Sequence, residues 1–371
     1  MQFKDVIAQE QLKNQLIQSA SKDKVSQAML FLGVEGSGTL AMALAFSQFL
    51  NCENRQESDS CGVCNSCKKA SKFIHPDIFF TYPTIKARTL SRDFVVEWRK
   101  VLLENPYLSI TEWVAFLESE NKQGNITANE CDQIVKQHSL KHYEGKYKIQ
   151  IIWMAEFLKK EGNKLLKIIE EPPENTVFIL IAENIEAILA TILSRTQVVK
   201  FSRLNEQTIE NNLIEKLSLD AKKARKLAQI VEGNWNVAKQ MAATNEENTF
   251  DEMYEWFELL MNRNKDLESI QKLLAWLDKM GSIGRENQKL FLKHTLFFLR
   301  ECLIFKTGLS LKLNDEEREL GELVIKSLSL EELASISNLI NNLHNEIIRN
   351  ANAKIGLMSA SLEIAGYMNS K

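Results

Sequence analysis

Residues Ala28-Met29-Leu30-Phe31-Leu32 run into Gly33-Val34-Glu35-Gly36-Ser37-Gly38-Thr39-Leu40 and then into an apolar stretch that continues to Leu50. The first five form an apolar run of strand length, the glycines punctuate a loop, and the remainder reads as an apolar helix. Strand, glycine-rich loop and helix in that order are the context in which a phosphate-binding loop is credible. In a working loop, backbone N–H groups and the helix N-terminus cradle phosphates, a lysine neutralises their charge, and the next hydroxyl holds Mg²⁺. Here Thr39 stands at the lysine position, Leu40 stands at the hydroxyl position, and Glu35 brings a negative charge into the loop. Gly33, Gly36, Gly38 and Thr39 are therefore read as a degenerate loop that binds no ATP productively. A plain tight turn is the nearly equivalent alternative.

The runs Ile149–Trp153 and Val177–Ala182 also have strand length, and helical segments separate them from the first. That alternation predicts βαβ units and a mostly parallel sheet. An ATPase strand ends in a carboxylate for Mg²⁺ and usually in a second one to polarise water, yet the run from Ile149 ends in Trp153-Met154. Losses at two chemically distinct steps argue against ATP hydrolysis by this chain. All five prolines (Pro76, Pro83, Pro106, Pro172, Pro173) lie in the first half, and nothing beyond Pro173 forbids continuous helix. From Asn205 onward apolar residues recur at helical spacing, as in Leu213, Leu217, Ala221 and Ala224, then Tyr254, Phe257, Leu260 and Met261. Asn314 with Glu317, and Ser329 with Glu332, carry capping-box spacing. The expected fold class is α/β plus all-α: a parallel-sheet domain, a small helical domain that ends near residue 245 after the break at Gly233-Asn234, and a larger helical domain to the end.

The 371 residues are 44% hydrophobic, enough for several packed cores, and the net charge of −3 offers no global attraction to nucleic acid. No apolar run reaches the roughly 18 to 20 residues that span a bilayer, and the opening Met1-Gln2-Phe3-Lys4-Asp5 lacks a signal-peptide layout. A soluble, cytoplasmic protein with no membrane partner is expected.

Cys52, Cys61, Cys64 and Cys67 are spaced C-x8-C-x2-C-x2-C, whereas Cys131 and Cys302 stand apart on helical stretches as ordinary semi-buried thiols. Four thiolates in so short a loop suit tetrahedral Zn²⁺, and a closed all-cysteine set is structural because no position remains for water. An iron–sulfur cluster and unligated thiols are the alternatives; the first loses ground because the Cys-Pro of ferredoxin spacing is missing.

Further stretches resemble a family. Phe3-Lys4-Asp5-Val6-Ile7-Ala8-Gln9, the loop Gly33–Gly38, the four cysteines and His75-Pro76-Asp77 follow the order seen in bacterial clamp-loader subunits of the AAA+ class. Asn163-Lys164-Leu165-Leu166-Lys167-Ile168-Ile169-Glu170-Glu171-Pro172-Pro173 is similar to that family's Asn-x-Leu-Leu-Lys-x-Leu-Glu-Glu-Pro signature, and Ser194-Arg195-Thr196 resembles its Ser-Arg-Cys segment. Gly233-Asn234-Trp235-Asn236-Val237-Ala238 resembles the second sensor region, with Asn236 where an ATP-contacting arginine is expected. Ala8 for Gly and Thr196 for Cys are milder departures. The likeness covers roughly residues 1–200 and is diffuse beyond. Loss of the nucleotide residues with retention of the cysteine module and the Ser-Arg segment resembles the delta-prime branch of the DNA polymerase III clamp loader.

The resemblance implies an AAA+ P-loop-type α/β domain over 1–200, with a zinc module at 52–67 and an insertion at about 86–137, a helical lid over 201–245, and a helical collar domain over 246–371. It implies a non-catalytic subunit that helps load a sliding clamp onto primed DNA, with gamma/tau-like ATPase subunits and a delta-like subunit as partners. The sliding clamp and primer–template DNA are then met through the complex. Arg195, with Ser194, is implied as an arginine finger acting in trans on the neighbouring subunit's ATP; a salt bridge to Glu170 or Glu171 is the alternative. Trp98 and Trp113 in the insertion either pack locally, as tryptophans at helical spacing usually do, or dock a partner. An active gamma/tau-like ATPase and a free-standing zinc-module DNA binder are the rival functional readings.

Overall fold

The computed structural model describes residues 1–85, 90–117, 124–139, 142–243, 246–261, 267–308, 313, 315–348 and 351–368. The boundary expected near 245, Asn314 of one capping pair, and parts of the insertion, including residues 121–123 of its polar break Asn121–Asn125, lie outside the described residues. The chain forms two compact units, one of Met1–Ala228 with Glu232–Ala238, the other of Gln229–Val231 with Lys239–Lys371.

The first unit opens with α1 (Glu10–Ser21), β1 (Ala28–Leu32), α2 (Thr39–Leu50), α3 (Asn65–Ser71) and β2 (Ile78–Thr81). The insertion contributes α4 (Val95–Glu104), α5 (Ile110–Phe116) and α6 (Ala128–His138). Then come β3 (Lys148–Trp153), α7 (Leu166–Glu170), β4 (Thr176–Ala182), α8 (Ala190–Leu193), β5 (Gln197–Lys200) and α9 (Glu206–Leu217), with α10 (Ala221–Ile230) and α11 (Trp235–Ala243) each divided between the two units.

Among the described residues the five strands form one parallel sheet, in the order β2-β3-β4-β1-β5. Leu30 lies opposite Leu180, and Ile152 is in turn opposite Leu180 from the other side, so the three stack across the sheet. They face Leu158, Leu165, Ile169 and Ile192 from the segments that follow β3 and β4. The other face is covered by α2, whose residues from Leu40 to Leu50 are all buried, as expected for a helix apolar on every side.

The second unit holds α12 (Glu246–Met261), α13 (Leu267–Ser282), α14 (Arg285–Lys306), α15 (Asp315–Ser327), α16 (Leu330–Ile348) and α17 (Ala353–Met368). Trp256 stacks on Trp276 at 5.2 Å and donates its indole N–H to Ser361 Oγ at 2.9 Å, which ties α12, α13 and α17 together. The Ser329–Glu332 capping box forms as expected, with Ser329 N–H donating to the Glu332 carboxylate at 2.6 Å and Glu332 N–H donating to Ser329 Oγ at 3.2 Å. Cys131 on α6 and Cys302 on α14 are fully buried. No helix among the described residues is long and apolar enough to cross a membrane.

Candidate functional site

The glycine loop sits between β1 and α2, at the carboxyl end of the sheet, where open parallel sheets bind ligands. Gly33 N–H donates to Ala182 O at 3.1 Å, which ties the loop to the end of β4. Gly36 (φ 75°) and Gly38 (φ 93°) adopt left-handed backbone that favours glycine, and Gly38 caps α2. This chain's own side chains lie against both glycines. A Cβ on Gly36 would lie 2.0 Å from Asn234 Oδ1, and one on Gly38 would lie 3.2 Å from the Tyr107 ring. Asn234 donates to Glu35 Oε1 at 3.0 Å and its Oδ1 accepts from Val237 N–H at 3.1 Å, while Trp235 N–H donates to Gly36 O at 3.4 Å. Tyr107 is fixed in turn, its hydroxyl accepting from Ile7 N–H at 2.8 Å. Glu183, just past β4, adds a carboxyl that interacts unfavourably with those of Glu35 and Glu156.

The end of β3 is likewise closely packed. Trp153 is buried with its ring 5.1 Å from Trp98, which stacks on Tyr82 at 4.1 Å and meets Trp113 edge-on at 5.1 Å. Trp98 and Trp113 are fully buried, so of the two readings of these residues the local packing is the one observed. Asn236, at the expected arginine position, is fully buried. It accepts from Asn105 Nδ2 at 2.7 Å and donates to Glu112 Oε2 at 2.7 Å. Glu112 is itself held by Ser109, which caps α5.

The 86–137 stretch thus packs against three of the positions singled out in the sequence: Tyr107 against Gly38, Trp98 against Trp153, and Asn105 with Glu112 against Asn236. Sequence reading singled out those positions and missed the residues that pack against them. The one signal was the unusual density of aromatic and polar residues between Trp98 and Trp113.

The cysteine module follows α2 directly. Cys52 lies just past the helix, Cys61 lies in the loop, and Cys64 caps α3, which carries Cys67. The four sulfurs lie within 4.8 Å of one another, with Cys61 Sγ and Cys67 Sγ at 3.9 Å. A Zn–S length of about 2.3 Å in a tetrahedron sets S···S edges of about 3.8 Å, so the donor set is compatible with a zinc site. Backbone N–H groups of Cys61, Cys64 and Cys67 donate to the sulfurs of Cys52, Cys61 and Cys64 at 3.2, 3.4 and 3.4 Å. Backbone N–H groups of Val63 and Cys64 pull the Cys61 thiol down to about 6, whereas burial pushes those of Cys52 and Cys67 up. Asp59 anchors the module by accepting from Phe3 and Lys4 N–H, each at 3.0 Å.

Asp77, just before β2, ties that strand to the loop that precedes β3. Its carboxylate accepts from Tyr143, Glu144 and Gly145 N–H at 2.6, 2.8 and 2.7 Å, and these bonds outweigh the effect of burial and hold its pKa low.

Ser194 and Arg195 follow α8 and precede β5, the edge strand beside β1. Arg195 Nε donates to Glu170 Oε2 at 2.7 Å, and Nη1 donates to Thr191 O at 3.2 Å and Ser194 Oγ at 3.3 Å. None of these partners belongs to the glycine loop.

The family described as "DNA polymerase III, delta subunit" matches residues 8–205. The chain is similar to DNA polymerase III subunit tau of Bacillus subtilis, 24% identical over 370 residues, covering 93% of this chain and 58% of that protein. It is similar to subunit delta-prime of the same organism, 29% identical over 201 residues, covering 54% of this chain and 49% of that one. Subunit gamma of Buchnera aphidicola subsp. Acyrthosiphon pisum is 26% identical over 208 residues, covering 56% of this chain and 47% of that protein. The chain therefore spans about half the length of the curated relatives it matches. Among solved structures, a gamma-subunit-related protein of Thermotoga maritima aligns over 95% of this chain and 99% of its own at 15% identity and a TM-score of 0.35. A RuvB Holliday-junction branch-migration motor from that organism aligns over 73% and 70% at 13% identity and 0.38. At that level neither structural likeness bears on function.

Proposed function

The chain belongs to the DNA polymerase III delta-subunit family, and on that premise we propose that it is a delta-prime-like clamp-loader subunit without ATPase chemistry of its own. The observation that supports this reading is the packing around the glycine loop and the end of β3, where Asn234 lies against Gly36, Tyr107 against Gly38 and Trp98 against Trp153. Thr39 and Leu40 offer neither the cation nor the hydroxyl that a bound nucleotide needs. Arg195 is the proposed finger, reaching from the edge-strand rim to ATP on a neighbouring gamma/tau-like subunit, where such arginines are worth about 10³–10⁵ in rate.

The domain scheme is part of the proposal: an AAA+ domain over 1–200, a lid over 201–245 and a collar over 246–371. Two apolar stripes support an assembling collar. Leu267, Ile270 and Leu274 on α13 are exposed, as are Ile355, Met358 and Leu362 on α17, the helix that packs against it. Obligate interfaces draw on such surfaces. The partners would be gamma/tau-like ATPase subunits and a delta-like subunit, with the sliding clamp and primer–template DNA met through the complex in the cytoplasm. The cysteines would hold one structural Zn²⁺, with Cys52, Cys61, Cys64 and Cys67 as its ligands and no open position for catalysis.

A second reading, an active gamma/tau-like ATPase, is favoured by the tau relative that aligns over 93% of the chain. Reconstitution with the cognate subunits separates the two. The isolated chain should turn over no ATP, and Arg195→Ala should lower the complex's DNA-stimulated ATPase and clamp loading in part, since other ring sites draw arginines from other subunits. Turnover by the isolated chain would establish the second reading, and a complex indifferent to Arg195→Ala would remove the finger.

A further inference from the structure

Resting on the reading of Arg195 as a residue that reaches a neighbour's ATP, we propose that Glu170 is its positioning residue. An arginine on an exposed rim samples many rotamers, and a finger is useful only when its planar fork is already aimed. Arg195 is held at two of its three guanidinium nitrogens: Nε by the Glu170 carboxylate, Nη1 by Thr191 O and Ser194 Oγ. Thr191 and Ser194 belong to the same turn as Arg195 and move with it. Among the described residues Glu170 is the single hydrogen-bond partner that ties the side chain to a different segment, at a sequence separation of 25.

That segment is itself fixed. Glu170 ends α7, Glu171 N–H closes the last turn on Lys167 O at 3.0 Å, and Pro172-Pro173 prevents the helix from continuing. Among the described residues Nη2 has no protein partner, so two N–H donors remain for an anion supplied from outside.

The pair is too open to matter much for folding. Its side chains are 32% and 55% exposed, and ion pairs of that kind contribute little stability. What Glu170 does is narrow the arc that Arg195 sweeps. Its charge also offsets that of the guanidinium while no nucleotide faces it.

The experiment compares Glu170→Ala, Glu170→Gln, Arg195→Ala and the double variant Glu170→Ala/Arg195→Ala in the reconstituted complex with cognate subunits. The Arg195-dependent share of the DNA-stimulated ATPase is the part lost in Arg195→Ala. Glu170→Ala should lower kcat for that share by about two- to fivefold, with KM for ATP, zinc content and assembly unchanged. Glu170→Gln, which keeps an acceptor oxygen and loses the charge, should fall between. The double variant should match Arg195→Ala alone. If Arg195→Ala has no effect, the finger reading fails and the positioning role fails with it. If Arg195→Ala lowers the rate while Glu170→Ala leaves it unchanged, the finger stands and the positioning role is refuted. A rise in Glu170→Ala also refutes it, because the pair would then be holding Arg195 away from the nucleotide.

Discussion

Replacing Asn236 by Ala removes both bonds that join α11 to the insertion, Asn105 Nδ2 to Oδ1 and Nδ2 to Glu112 Oε2. The neutral bond is worth about 0.5–1.5 kcal/mol and the one to a carboxylate about 1.5–3 kcal/mol, so about 2–4 kcal/mol should be lost. Glu112 retains its bonds to Ser109, which keeps the loss toward the lower end. For a unit of this size each kcal/mol moves the melting temperature by about 2–4 °C, giving a drop of about 4–12 °C. The assay is thermal unfolding followed by circular dichroism, with and without millimolar MgATP. A nucleotide site filled to a hundred times its Kd would stabilise the wild type by about 2.7 kcal/mol, or about 5–11 °C. The filled face predicts a shift below about 1 °C. Either a large MgATP shift in the wild type or a drop under about 2 °C in Asn236→Ala would refute the view that the insertion's polar contacts take the nucleotide's place.

Metal analysis should find about one Zn²⁺ per chain and little iron, and a strong chelator should destabilise the first unit. Iron with sulfide, or no metal in freshly reduced protein, would overturn that assignment. Ala8 has a left-handed backbone, with φ at 51°. Ala8→Gly should therefore raise the denaturation midpoint, by an amount worth up to about 1 kcal/mol, and a loss of stability would show that the strain is not relieved there. Arg195→Lys should not restore the activity lost in Arg195→Ala, because an ammonium cannot reproduce the planar fork; full rescue in the reconstituted ATPase would argue against the contact.

The degree to which the fold could be read from residues alone followed the range over which the signals act. β1 was legible to the residue because Gly33 ends its apolar run, and β3 and β4 were found to within one residue at their starts. β2 and β5 went unseen. Each is four residues long and lies at an edge of the sheet; Gln197–Lys200 is largely exposed, and the apolar run of β2 is only the three residues Ile78–Phe80, so neither stands out as a central strand does. The cysteine set was legible because its spacing is local. The replacement of Gly by Ala at position 8 was visible, but not the positive φ that makes it matter. Asn236 could be read as a missing arginine. Its partner Asn105 lies 131 residues away, a pairing that no local pattern encodes.

The bond from Trp235 N–H to Gly36 O and the lodging of Asn234 against Gly36 join the start of α11 to the loop directly. In a nucleotide-bound site that junction runs through a diffusible ligand, so it forms and dissolves with occupancy, and its closure entropy must be met at every cycle. Here the two halves are bonded to each other directly, and the ordering cost falls once, during folding. On the proposed reading the junction has no chemical trigger. Its opening is a subglobal fluctuation, governed by temperature and denaturant rather than by nucleotide concentration, and the amides around Gly36 would exchange with solvent on the clock of local unfolding.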